Sequence, residues 1–138
     1  MKKTILLLIC TATLGLVSCK KDTIIQETPN RTFVYTVQPN QWTLVNDGET
    51  YTTELRIDEI DQISIDDEGT LVYVANPSTA NIYRQLPYVY NVDAYSYEIY
   101  PGGIRISIES SDFQNRNPIR PTQSVQVKIV LIPSVFVP

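Results

Sequence analysis

Residues 94–109 read AYSYEIYPGGIRISIE. Tyr95, Tyr97 and Ile99 alternate with Ser96, Glu98 and Tyr100, and beyond the turn Ile104, Ile106 and Ile108 alternate with Arg105, Ser107 and Glu109. A period of two sends successive side chains to opposite faces of a strand, so each segment has one apolar and one wet face. Pro101-Gly102-Gly103 joins them. Proline presets φ at the first corner of a tight turn, and glycine accepts the positive φ at the second. The stretch therefore predicts an antiparallel hairpin whose tyrosines and isoleucines face a core.

The same period continues outward in both directions. Tyr51, Thr53, Leu55 and Ile57 alternate with Thr52, Glu54, Arg56 and Asp58, preceded by a turn at Asn46-Asp47-Gly48. Thr32 to Val37 and Trp42 to Val45 are shorter runs of the same kind. Thr70 to Ala75 is more continuously apolar and is expected to be an internal strand. Ile82 to Gln85 follows a turn at Asn76-Pro77-Ser78, and Leu86-Pro87-Tyr88 breaks the pattern, because proline cannot donate to a ladder and sits at an edge or a strand start. Ser110 to Thr122 is a loop, and Ser124 to Ile132 is expected to be the longest strand. Ile60 to Ile65 mixes helical and strand spacing and reads as a short turn or a single helical turn. No long helical pattern is present. The expectation is one all-β domain over residues 32–138, an antiparallel sandwich of about seven to eight strands, immunoglobulin-like or a similar Greek key. Nothing marks the repeated bulges that a closed barrel needs.

The chain begins MKKTILLLICTATLGLVSC, residues 1–19. Lys2 and Lys3 precede an apolar run from Ile5 to Leu16, which is shorter than the ~20 residues needed to cross a bilayer as a helix but matches the core of an export signal. Leu16-Val17-Ser18-Cys19 resembles the lipobox of bacterial lipoproteins. The resemblance implies a signal peptide over residues 1–18, cleavage before Cys19, and diacylglyceryl transfer to the Cys19 thiol. A lipoprotein cysteine carries two or three acyl chains, enough for stable attachment where a single chain holds only marginally. Residues 19–31 read as the lipidated cysteine and a polar tether containing Pro29. Lys20, rather than an aspartate, after the cysteine resembles lipoproteins sent to the outer membrane, and Lys21-Asp22 resembles the surface-export signals of Bacteroidota-type bacteria. Asp22-Thr23-Ile24 also resembles the O-glycosylation sequon of those bacteria. The leaflet that the domain faces stays open. Trp42, Asp47-Gly48, the strand ending at Ile57, Gly69 before LVYV, and Leu86-Pro87-Tyr88 resemble small uncharacterised Bacteroidota-type outer-membrane lipoproteins over Phe33 to Ile132. That resemblance implies no mechanism.

Composition narrows the chemistry. With Cys10 in the leader and Cys19 acylated, neither of the two cysteines is left for a disulfide. The 120 residues after the leader can bury about two thirds of their unfolded surface without one. Loss of Lys2 and Lys3 leaves nine basic against fifteen acidic residues, a formal charge of −6, so nucleic acid is not expected as a partner. The chain has no histidine, which removes histidine-based triads and the usual zinc or copper ligand sets. No cofactor, metal or catalytic residue is expected, and the domain is read as non-enzymatic. Asp58, Glu59, Asp61, Asp66, Asp67 and Glu68 form an acidic run that matches no EF-hand spacing, which leaves calcium binding open. Five of the nine tyrosines fall between Tyr88 and Tyr100. Tyr95 and Tyr97 share the face of Ile99 and are expected in the core, whereas Tyr88, Tyr90 and Tyr100 are the candidates for an exposed platform that stacks on sugar rings. Three readings result: a lipid-anchored envelope protein with a binding or structural β-domain, a carbohydrate-binding accessory lipoprotein, and a scaffold that docks an envelope protein through a strand edge or the terminal segment 133–138. Cys19→Ala is expected to move the protein from the membrane pellet to the soluble fraction, leave the leader uncut and abolish fatty-acid labelling. A variant still cut and still acylated would exclude the lipobox.

Overall fold

Alternation along the chain becomes nine strands in a computed structural model that describes residues 28–75, 82–112, 116–135 and 137–138. They are β1 (Arg31–Val37), β2 (Thr43–Val45), β3 (Thr50–Arg56), β4 (Gly69–Ala75), β5 (Tyr83–Gln85), β6 (Tyr88–Tyr90), β7 (Asp93–Tyr100), β8 (Gly103–Ser110) and β9 (Val125–Ile132), with a short helix α1 (Gln62–Asp67) between β3 and β4. The expected signal peptide 1–18, Cys19, the tether as far as residue 27 and the turn at Asn76-Pro77-Ser78 lie outside the described residues. No helix among the described residues is long and apolar enough to cross a membrane.

The strands form two antiparallel sheets, ordered β1-β9-β4-β5 and β2-β3-β8-β7-β6. This is the expected sandwich, with one strand more than the sequence indicated. The addition is β6, which starts directly after Pro87 at a sheet edge, where a missing N–H donor costs nothing. β4 is internal, as its continuous apolarity required. β9 is not longer than its rivals: β7, β8 and β9 each span eight residues.

The 94–109 hairpin is β7 and β8, in register Tyr95↔Ile108, Tyr97↔Ile106 and Ile99↔Ile104. β3 lies on the other side of β8, placing Leu55, Thr53 and Tyr51 opposite the same three isoleucines. Ile104, Ile106 and Ile108 have no solvent exposure, and they form one core with Val72 and Val74 of β4 and Val127, Ile129 and Leu131 of β9. Tyr95 and Tyr97 pack against this core while remaining partly exposed, and the Tyr97 hydroxyl donates to the Thr70 carbonyl across the sandwich at 3.0 Å. A half-buried tyrosine thus places its ring in the core and satisfies its hydroxyl at the margin.

The β7–β8 turn is clamped from outside. Gly102 adopts φ +95 and its N–H donates to the Ile60 carbonyl, while its own carbonyl accepts from the Ile57 N–H. At Gly103 a Cβ would stand 2.5 Å from the Leu55 carbonyl oxygen, so only glycine fits there. Ile57 and Ile60 are buried under this contact, and α1 begins just beyond it, with Asp61 accepting from the Ser64 N–H at 2.8 Å as its N-cap. The mixed spacing of residues 60–65 therefore resolves as a short capped helix.

The wet face of the hairpin is more organised than its alternation implied. Arg105 pairs with Glu54 of β3 at 2.8 Å and with Glu98 of β7 at 3.2 Å, which makes a cross-strand row of alternating charge. Replacing Arg105 by aspartate would set three carboxylates side by side, so glutamine is the neutral comparison at this position. Ile106→Asp is expected to lower the unfolding free energy by at least about 4 kcal/mol, because it leaves a bare charge in a closed core. Arg105→Gln should leave the melting midpoint nearly unchanged. Equal damage from both substitutions in thermal melts would refute the assigned faces.

Candidate ligand-binding cleft

At one margin of the sandwich the two sheets end in three-residue strands, β5 and β6, linked through Leu86 and Pro87 by a cis peptide bond. Leu86 is buried and its N–H donates to the Val72 carbonyl at 2.8 Å, which ties this crossing to the core. Beyond it the β6–β7 hairpin sets Tyr88 opposite Tyr95 and Tyr90 opposite Asp93. Side chains opposite one another share a face, so the inward face of Ile108 and Tyr95 continues outward to Tyr88, Tyr90 and Asp93.

The turn between these strands is unusual. Asn91 and Val92 both have positive φ, +46 and +75. Asparagine tolerates that region, whereas a β-branched residue is an outlier there. Ser111 holds Val92 in place by donating to its carbonyl from both the backbone N–H, at 2.7 Å, and Oγ, at 2.8 Å. Strained backbone maintained by its surroundings is often found at functional sites, and here it immediately precedes Asp93.

The side chains that meet form an open cleft of about 410 Å³. Tyr88 and Tyr95 stack with centroids 5.1 Å apart and planes 12° from parallel. Tyr90 is 46% exposed at the rim. From β5, the Arg84 guanidinium lies 5.8 Å from both the Tyr88 and the Tyr90 ring centres. The facing wall is the segment 116–123, which contributes Arg116, Ile119, Arg120 and Pro121. Asp93 is only 8% exposed, and its Oδ2 accepts from Arg116 Nη2 at 2.7 Å. Its Oδ1 and the Arg116 Nε are both buried without a hydrogen-bond partner. An unmade hydrogen bond of this kind costs about 1–3 kcal/mol. Burial is the main influence on the aromatic wall: it raises the Tyr88 pKa, and with the neighbouring Tyr88 and Asp93 it pushes that of Tyr95 up to about 12.

The three tyrosines singled out in the sequence do not form one platform. Tyr88 and Tyr90 come together, with Tyr88 half-buried on Tyr95 rather than exposed. Tyr100 lies five residues beyond Tyr95, roughly 16 Å along β7 at the usual strand rise, and on the opposite face. There its ring stands 5.9 Å from the Arg105 guanidinium, in an open depression, also of about 410 Å³, with Glu54, Arg56 and Asp58. Sequence reasoning did not foresee Asp93, Arg116 and Arg120. The inward position of Asp93 follows from continuing the Tyr97-Tyr95 alternation by one more step, but no signal ties it to an arginine 23 residues away. A second aromatic pair was also missed: Tyr73 and Tyr83 flank Lys128 on the outer face of the four-stranded sheet, with ring centres 4.5 and 4.6 Å from Nζ.

The acidic run divides among separate partners. Asp58 binds Arg56, Asp61 caps α1, Asp66 accepts from Gln62, and Glu68 pairs with Arg31. Among the described residues no group of three or more histidine, cysteine or acidic side chains could hold a metal ion.

Comparisons of this chain with protein-family models, with curated proteins and with solved structures return no match. The chemistry of the cleft therefore rests on its own residues.

Burial of Tyr95 has a consequence at high pH. Its pKa of about 12 lies above its ordinary value of 10, so above that ordinary value the unfolded chain sheds this proton first. The stabilisation from the neutral buried phenol is complete below about pH 10 and is lost as pH rises toward 12. Denaturant titrations at about pH 9 and about pH 11 should show a larger fall in stability for the wild type than for Tyr95→Phe. Equal falls would place the phenol in water.

Proposed function

We propose that this protein is a lipid-anchored component of the bacterial outer membrane, tethered through Cys19, whose β-sandwich is a non-catalytic carbohydrate-binding module. The observation that carries this reading is the combination in one cleft of aromatic faces with the Asp93–Arg116 pair. A sugar ring has an apolar face bordered by hydroxyl groups. Its face can stack on an aromatic ring, and adjacent hydroxyls can donate to a carboxylate while accepting from a guanidinium. Arg31 Nε and Trp42 Nε1 are also buried without a partner away from the cleft, so what supports a binding role is the meeting of the Asp93–Arg116 pair with aromatic faces in one open cleft.

Placement supports the same reading. β1, which follows the tether, starts at Arg31 opposite Leu131, while the cleft is lined by Val125 and Val74 at the other end of the sheet. Six strand steps separate these ends, roughly 20 Å at the usual rise. The cleft thus lies at the end of the sheet away from the first residue of β1, which suits a domain tethered through its N-terminal side. Asp93 is the one carboxylate among the described lining residues, whereas hydrolysis by paired carboxylates needs two. This favours binding over catalysis.

One observation favours the scaffold reading instead. Val135 and Val137 are 87% and 82% exposed just past β9, where Ser134 donates to the Asp67 carbonyl, and in the same sheet the outer edge of β1 is unpaired among the described residues. An envelope protein copurifying through this end, and lost on deleting residues 133–138, would support that role.

The experiment that tests the carbohydrate reading is a glycan array read with wild type, Tyr90→Ala and Tyr100→Ala. Stacking on an aromatic contributes about 1–3 kcal/mol, so Tyr90→Ala should weaken binding about five- to hundred-fold with little change in the melt. Tyr100→Ala should bind as the wild type does. An array without signal would sink the reading.

A further inference from the structure

We infer that the sugar held in this cleft carries an anionic group, a carboxylate or a sulfate ester, taken by Arg120 with Arg84 adding to the field; the inference rests on the carbohydrate reading above. The argument comes from where the arginines without an acidic partner are; among the described residues Lys128 also lacks one, but it is held between Tyr73 and Tyr83 on the outer face of the four-stranded sheet. Arg31 is paired with Glu68, Arg56 with Asp58, Arg105 with Glu54 and Glu98, and Arg116 with Asp93. Arg84 and Arg120 are the two arginines among the described residues with no carboxylate in ion-pair range, and both stand at the aromatic cleft.

Charge in the cleft therefore does not cancel. Arg116 neutralises Asp93, which leaves Arg84 behind the tyrosines and Arg120 on the facing wall as a local surplus of positive charge. The chain as a whole is acidic, with fifteen acidic against eleven basic residues. An anionic chain is thus repelled by most of the surface and drawn to this margin, which improves both encounter and orientation. The guanidinium fork of Arg120 matches two oxygens of a carboxylate or sulfate, and Tyr90 lines the same cleft. Arg84 is held by its contacts with both Tyr88 and Tyr90, so it contributes its charge at a defined position.

The test uses the purified full chain on an array with three sets of oligosaccharides: oligogalacturonates, the same oligomers as neutral methyl esters, and sulfated galactans. Hits are then titrated calorimetrically. At least one anionic set should bind ten-fold or more tightly than the methyl esters, and the better anionic set identifies the group as carboxylate or sulfate. Arg120→Gln should remove about ten-fold of that preference with an unchanged melt, and about 0.5 M salt should remove most of it by screening. Methyl esters bound as tightly as the acids, or an anionic preference that survives in Arg120→Gln, would overturn the charge inference and leave the carbohydrate reading in place. No signal from any set, neutral or anionic, would overturn both.

Discussion

β3 and β4 are consecutive, as are β8 and β9, yet each pair parts into opposite sheets and rejoins crosswise, β3 with β8 and β4 with β9. Each of these long-range ladders runs over seven residue pairs. Neither is stable alone, because the inward row of each strand is covered only by the opposite sheet. Ile104, Ile106 and Ile108 stand where both conditions meet: they are flanked by β3 and β7 and roofed by the valines, isoleucine and leucine of β4 and β9. A slip of one residue in β8 would turn these isoleucines into water and bring Arg105 into the core, so the register is held by burial. Gly103 holds it a second time, since its missing Cβ admits the Leu55 carbonyl at one alignment of β3.

The margin of the sandwich is where this closure runs out. β5 and β6 are too short to cover the inward faces beside them, and the chain passes from one sheet to the other through two residues. Side chains do the closing instead, through the Tyr88–Tyr95 stack, Arg84 over the tyrosines, and the segment 116–123. Because β7 keeps its alternation to its first residue, an aspartate arrives on the inward face. A buried carboxylate without a partner is costly, and Arg116 supplies one. The pair satisfies only part of its hydrogen-bonding capacity, leaving Asp93 Oδ1 and Arg116 Nε buried without a partner beside the cleft. This incompletely satisfied pair lies next to the strained Asn91-Val92 turn.

Much of the fold was legible because it depends on local periodicity. The alternation at 94–109 determined two strands, their inward faces and their turn, and the apolar run 70–75 was correctly internal. β6 was hidden because Pro87 reads as a break, and its three residues are too few to show a period. The wet face of β8 was legible as wet, but not as an ion-paired row, since Glu54 is 51 residues from Arg105 in sequence.

For the site, the sequence alone shows that tyrosines concentrate near residues 88–100, that two of them point inward, and that histidine chemistry is absent. Leu16-Val17-Ser18-Cys19 resembles a lipobox, and the proposed anchor rests on that resemblance alone. Only the tertiary structure decided which tyrosines share a face with which charges. It separated Tyr100 from Tyr88 and Tyr90, brought Arg84 and Arg120 to the same margin, and paired Asp93 with Arg116. The physical reason is that periodicity specifies the face a side chain takes within its own strand. The neighbours it meets across a sandwich depend on strand order and on the path of a long loop, and those follow from closure of the whole core.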